Sequence, residues 1–304
     1  MKSSTTNRMN VFATTGLAVL LLAGPATATG QSRSSFGLEA GLRHDSNIGL
    51  ATDGDDEIDD YTARLAATIQ YPMLRVGGSE VLLSGGVHYD HVSDVSDISN
   101  YGASASVRFR GRFGSDRLAP WFSLYADITG LKYSDSEIRD GYKWGVTATL
   151  GKPLHEKFAI SGGYRFRQRK STDDSPGQPN VPAFANASEV FDLDQWGLFA
   201  QVQFAPAEST RLYGEYSYFS GDVVSTGRTV SNGGQFAQAA DQAFGAGFMA
   251  WKIDADINLF ELGVSHNFST NLNVDIAAEY LDADGESGND YDNLALVGKG
   301  VYRF

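Results

Sequence analysis

The sequence predicts an all-β chain, a transmembrane antiparallel up-and-down β-barrel of about twelve strands. Three observations predict it: a leader of the exported type, a run of segments about ten residues long in which apolar and polar side chains alternate, and a last strand that ends on an aromatic residue.

The leader comes first. Lys2 and Arg8 precede the apolar stretch "VFATTGLAVLLLAG" (11–24), Pro25 breaks it, and Ala26-Thr27-Ala28 supplies a small-residue cleavage site. A positive start, an apolar core too short to span a bilayer and an A-x-A end make a signal peptide. The expected division is a signal peptide over 1–28 and an outer-membrane barrel over 29–304. Cysteine is absent, which excludes both a lipid-anchored cysteine and a disulfide framework. The net charge is −13, and taking Lys2 and Arg8 from the 24 basic residues leaves 22 against 37 acidic ones. Nucleic-acid binding needs a basic face, so nucleic acid is not an expected partner.

The strands follow in order. In the first, Phe36, Leu38, Ala40 and Leu42 alternate with Gly37, Glu39, Gly41 and Arg43. In the second, Tyr61, Ala63, Leu65, Ala67, Ile69 and Tyr71 alternate with Thr62, Arg64, Ala66, Thr68 and Gln70. The third lies near 81–92; the fourth sets Tyr101, Ala103, Ala105, Val107 and Phe109 against Ser104, Ser106, Arg108, Arg110 and Arg112. Further strands are expected near 121–131, 142–152, 157–169, 191–204, 211–220, 257–268, 272–283 and 291–304. The last puts Leu294, Leu296, Gly298, Gly300, Tyr302 and Phe304 on one face. Lipid offers no hydrogen-bond partner to the backbone, so segments this polar on one face span it only as a closed sheet with that face inward. Aromatics at the strand ends, such as Tyr61, Tyr71, Tyr101, Phe113, Tyr302 and Phe304, suit two interfacial girdles.

An even number of strands puts both termini on one side. The odd gaps are long and acidic: 53–60, 93–100, 134–140, the Pro-rich 171–189, 221–256 and 282–290. The even gaps are short, which places the long loops outside and the termini in the periplasm. Residues 221–256 are expected either to fold into the barrel as a constriction or plug or to extend above the membrane, with "FAQAADQAF" (236–244) as a short helix.

Turning the apolar face to lipid assigns the lumen. Its basic positions are Arg64, Arg108, Arg110, Arg112, Lys143, Arg165, Arg167 and Arg169. Its acidic positions are Glu39, Asp90, Asp127, Glu215, Glu261, Asp275 and Glu279. The two sets segregate along the chain and predict a positive wall facing a negative one, with Arg165, Arg167 and Arg169 opposite Glu215, Glu261 and Glu279. Such a lumen is either a salt-bridged filling or a water-filled pore with a transverse field.

Enzyme motifs are thin. Ser84, His88 and Asp90 share one strand face by periodicity, and His44, Asp45 and Ser46 meet at a strand end; no HExxH, P-loop or GxSxG motif is present. Asp282, Asp284, Gly285, Glu286 and Asp290 lack the full spacing of a calcium loop. The acidic loops read mainly as solvated and repulsive, with loosely held divalent cations shared with lipopolysaccharide phosphates as the other reading.

The segments "RHDSNIGLA" (43–51) and "YLDADGESGNDYDNLALVGKGVYRF" (280–304) resemble poorly characterised, porin-like proteobacterial outer-membrane barrels. They are also similar to the barrel half of surface lipoprotein assembly modifiers. Twelve-stranded oligosaccharide porins with arginine tracks are similar in architecture. The resemblance implies recognition of Tyr302 and Phe304 by the barrel assembly machinery. The expected function is a narrow passive channel for small hydrophilic solutes, with the arginines selecting or orienting anionic groups. The expected surroundings are the lipid bilayer and lipopolysaccharide, with the chain a monomer without cofactor or metal. The alternatives are a closed structural or surface-interaction barrel acting through its acidic loops and, more distantly, an outer-membrane hydrolase.

Overall fold

A computed structural model describes residues 34–76, 78–173, 187–231 and 237–304. The leader and much of the Pro-rich gap lie outside the described residues. The strands are β1 (Ser35–Asp45), β2 (Asp60–Val76), β3 (Ser79–Val92), β4 (Asn100–Arg112), β5 (Trp121–Tyr133), β6 (Gly141–His155) and β7 (Phe158–Ser171). They continue as β8 (Leu193–Ala207), β9 (Thr210–Gly227), β10 (Ala237–Ala240), β11 (Met249–Asn267), β12 (Leu272–Gly285) and β13 (Tyr291–Arg303).

Each long strand pairs antiparallel with its sequence neighbours, and β9 pairs with β11 from Met249↔Gly227 to His266↔Thr210. β1 pairs with β13 from Gly37↔Arg303 to Asp45↔Ala295, which closes a twelve-strand cylinder. β10 is the addition. It pairs with the first residues of β11, Ala237↔Lys252 to Ala240↔Met249, along the edge that β12 vacates beyond Gly285. Pro72 and Pro153 sit at bulges beside short turns, where a missing ladder donor does least harm.

The outside of the cylinder is an apolar belt: Leu65, Ile69, Leu150, Leu198, Leu262 and Leu296 are all exposed. In water such a continuous surface would aggregate; in lipid it is the solvated face. The polarity inverts at the loop end. On β11, Phe260 and Leu262 point out while Glu261 points in, but further along Asp254 and Asp256 point out while Ile253, Ala255 and Ile257 are buried inside. On β12, Ile276 and Tyr280 give way to Asp282 and Asp284 outside, and Glu279 to Leu281 and Ala283 inside. Here the strands leave the bilayer and enclose a soluble-type core. Gly221 marks the transition on β9: its φ is 133°, and a Cβ there would lie 2.2 Å from the Asp194 carbonyl oxygen.

At the opposite end the chain terminus is part of the wall. The Phe304 N–H donates to the Phe36 carbonyl at 2.9 Å, and the Phe304 ring lies 5.6 Å from that of Phe36 and 4.8 Å from that of Tyr302. Removing Phe304 should reduce the fraction of chain that reaches the membrane as a folded barrel, measured as the heat-modifiable band in electrophoresis; an unchanged fraction would show that the terminal ring is dispensable.

Candidate functional site

The lumen is the site, and the basic residues arrive first. On β4, Arg108 lies over Tyr125 at 5.1 Å and Arg110 over Trp121 at 4.8 Å, while Arg112 is exposed at the short-turn rim. On β7, alternation turns Arg165, Arg167 and Arg169 inward, and each finds an aromatic ring. Arg165 lies over Phe199 at 4.0 Å, Arg167 over Phe219 at 4.9 Å and Arg169 over Phe191 at 5.1 Å. Stacking on a ring face orients a guanidinium without neutralising its charge.

Several inward rings occupy the space above glycines on adjacent strands. A Cβ at Gly197 would meet Phe219 at 2.4 Å, one at Gly151 would meet Trp121 at 2.3 Å, and one at Gly263 would meet Tyr213 at 2.4 Å. Gly197→Val should therefore displace Phe219 and destabilise the barrel by about 1–3 kcal/mol in urea unfolding from lipid. An unaltered midpoint would show that the ring moves freely.

The charges segregate in sequence as expected, but much of the pairing runs along the wall. Arg165 reaches Glu215, two strands away, at 2.7 Å, and Ser217 at 3.2 Å. Glu279 is held by Arg43 of β1 at 2.7 Å rather than facing the β7 comb. Arg64 sits between Glu39 at 3.3 Å and Asp90 at 3.0 Å. Asp275 accepts from the Tyr213 hydroxyl at 2.9 Å and stands opposite Lys299 in register. Glu215, Glu261 and Glu279 are direct cross-strand neighbours on β9, β11 and β12, with Glu261 in the middle. Asp127, Lys143 and Arg167 line the open space.

The loop end is covered. Among the described residues of 221–256 there is neither an α-helix nor a detached plug: β9 and β11 continue past the belt, Ala237–Ala240 is a strand where a helix was expected, and a 3-10 turn follows at Gln242–Phe244. Residues 241–248 lean across the mouth as a lid. Ala243, Phe244 and Phe248 pack with Ile48, Val92, Val95, Ile98, Leu131 and Tyr133, which come from the far side of the cylinder. Beneath them Arg139, from the 3-10 turn Glu137–Arg139, pairs with Asp241, both fully buried. Arg139 lies over Phe191 at 4.5 Å and Phe244 at 5.4 Å. Burial pushes the Asp241 carboxyl above its ordinary range, opposed by the Arg139 charge.

Several loop acids, expected to be solvated and repulsive, act as staples. Asp60 accepts from the backbone N–H groups of Asp94 and Val95, Asp56 binds Arg228, and Asp140 binds Lys132 and the Tyr133 N–H. Among the described residues no group of histidine and carboxylate side chains converges to hold a metal ion. His88 lies 3.9 Å from Asp90, and among the described residues no hydrogen bond joins it to Ser84.

Between lid and termini runs a cavity of about 550 Å³. It begins among Ser35, Gln70, Leu82 and Arg303 at the short-turn end, passes Glu39, Arg64, Asp127, Lys143 and Arg167, and ends under Leu50, Phe219, Val223, Ile257, Leu259 and Leu281. Sequence reasoning missed the inward aromatics, Arg43, the Arg139–Asp241 pair and the apolar roof. Strand parity was the available signal for the aromatics, since Tyr213 and Phe219 share their face with Glu215 and Ser217.

The architecture matches solved proteins. An outer-membrane channel from Pseudomonas putida F1 aligns over 92% of this chain and 98% of its own, with TM-score 0.58 and 12% identity. This is the fold of an outer-membrane β-barrel. The transport unit of the autotransporter AIDA-I from Escherichia coli aligns over 95% and 96% (TM-score 0.47, 9% identity), and the KdgM porin over 88% and 99% (TM-score 0.43, 8% identity). No family model and no curated protein sequence matches the chain. The likeness to the Pseudomonas channel shows the outer-membrane β-barrel fold and gives no support to the resemblance to lipoprotein assembly modifiers.

Proposed function

We propose that the barrel is a passive, lid-gated channel for small solutes, with Arg108, Arg110, Lys143 and Arg167 favouring anionic groups over cations. The observation that carries this reading is the cavity of about 550 Å³ that follows the lumen from the short-turn end to the apolar cluster around Leu50, Phe219 and Val223. A purely structural barrel of this width has no need of such a void, because side chains fill a small lumen. Stacked arginines keep their charge, so a wall of them raises local anion concentration. The similarity in fold to a solved outer-membrane channel is compatible with this function and does not assign it. The chain acts as a monomer in this reading, because the cylinder closes on itself.

The test is conductance of the purified full chain in planar bilayers. We expect small, intermittent openings and a reversal potential on the anion side in a salt gradient. Arg167→Ala should move that potential towards zero. Absence of any opening at any salt concentration, including in variants that release the lid, would leave the closed structural barrel, the reading that the buried lid itself favours.

A further inference from the structure

The roof of the cavity does not suit a purely hydrophilic solute. Leu50, Phe219, Val223, Ile257, Leu259 and Leu281 are buried in one cluster and line the cavity's closed end. The register puts them level with the arginines: Phe219 stands opposite Ile257 on one side and Gly197 on the other, and Gly197 stands opposite Arg165. Leu259 and Leu281 form the next pair down. Arg167 lines the same space, its guanidinium 4.9 Å over the Phe219 ring. No direct ion pair to a carboxylate is described for Arg167, on which Asp127 and Glu215 act only through space, whereas Arg165 holds Glu215 at 2.7 Å. One ring thus borders both an apolar wall and a guanidinium with no direct carboxylate partner among the described residues. Below the roof, the Glu215, Glu261 and Glu279 row makes the β9–β12 side unfavourable to an anionic group and leaves the β7 side for it.

We propose that the roof of the lumen binds a small organic monocarboxylate with a compact apolar body, the carboxylate on Arg167 and the body against Phe219, Ile257, Leu259 and Leu281. The cavity as a whole, about 550 Å³, exceeds the roughly 300 Å³ at which small-molecule pockets start, and its apolar end forms part of that space. Apolar contact fixes the body, and a charge-assisted hydrogen bond fixes the head. This deepens the channel reading and rests on it for the route of entry: the solute waits under the lid with its polar end on the arginine comb.

The test is equilibrium binding to the full chain in lipid nanodiscs, by calorimetry against empty discs, with hexanoate, acetate and 1-hexanol as probes. Hexanoate should bind at least about tenfold tighter than acetate, because each buried methylene adds several-fold in affinity. Hexanol, which lacks the charge, should bind at least about tenfold more weakly than hexanoate. Arg167→Gln should weaken hexanoate by about tenfold and Arg167→Lys by less. Ile257→Ser should weaken hexanoate and leave acetate unchanged. Equal affinity for hexanoate and acetate, or hexanoate binding indifferent to both Arg167→Gln and Ile257→Ser, would overturn the site. Binding needs no conduction, so the two readings fail separately. Hexanoate binding without conductance removes the channel and keeps the site; conductance with equal affinities removes the site and keeps the channel.

Discussion

Arg139→Ala should open the loop end of the barrel. The substitution strips the cation from a fully buried pair and leaves the Asp241 carboxylate without its counter-ion beneath Phe244. Breaking one side of a buried ion pair costs about 3–5 kcal/mol. The lid is held otherwise by a few apolar contacts and by local backbone bonds such as Asp241 N–H to the Phe248 carbonyl at 3.0 Å. A loss of that size shifts the balance between seated and released lid by about two orders of magnitude or more. Amide exchange across 241–248 should accelerate while the belt strands stay protected, and open time in bilayers should rise. The double variant Arg139→Met/Asp241→Leu should restore protection, because an apolar pair fits the same site without a desolvated charge. Exchange in Arg139→Ala equal to that of the parent would show that the pair does not hold the lid.

The second large effect is expected at Arg43. Its guanidinium holds Glu279 at 2.7 Å and Asp45 at 2.9 Å, beside the row in which Glu261 stands directly opposite Glu215 and Glu279. Like charges opposite each other across strands are destabilising, and here Arg43 and Arg165 offset them from the two ends. Arg43→Ala should cost about 3–5 kcal/mol, seen as a lower urea midpoint for unfolding from lipid vesicles. Glu261→Gln, which removes the middle charge and keeps the shape, should raise that midpoint. If Glu261→Gln is destabilising, the central carboxylate is instead held by favourable contacts and the row is not frustrated.

Both effects rest on residues whose roles the sequence hides, for identifiable reasons. Period-2 alternation revealed the twelve wall strands because the lipid belt imposes one rule, apolar out and polar in, on all of them. Above the belt the rule reverses: Asp254 and Asp256 turn out while Ile253 and Ile257 turn in, so the upper halves of β9 and β11 read as an irregular gap. Phe219, Tyr213 and Trp121 went unassigned although they share strand parity with the lumen positions Glu215 and Asp127; they turn inward where glycines opposite them leave room for a ring. The acidic loops misled for a third reason. Composition counts charges without showing that Asp60 and Asp140 are spent on backbone N–H groups, or that Asp241 meets a cation about a hundred residues away in the chain. Lumen parity placed the arginine comb, but which carboxylate each arginine meets depends on strand register, which alternation alone does not fix.

The β1–β13 seam bears on how the chain closes. Every other long pairing joins strands that follow one another, apart from the short detour through β10, so each forms across a loop far shorter than the span the seam must close. The seam joins Gly37 to Arg303, so its contacts have the greatest sequence separation in the wall. Contacts of that separation are the slow ones in folding, because chain entropy is lost before they form. Until the seam zips, two strand edges remain open and able to pair with another chain. Phe304, bonded to Phe36 across that join, therefore sits where the last step of cylinder formation is registered and where a misaligned zip would first show.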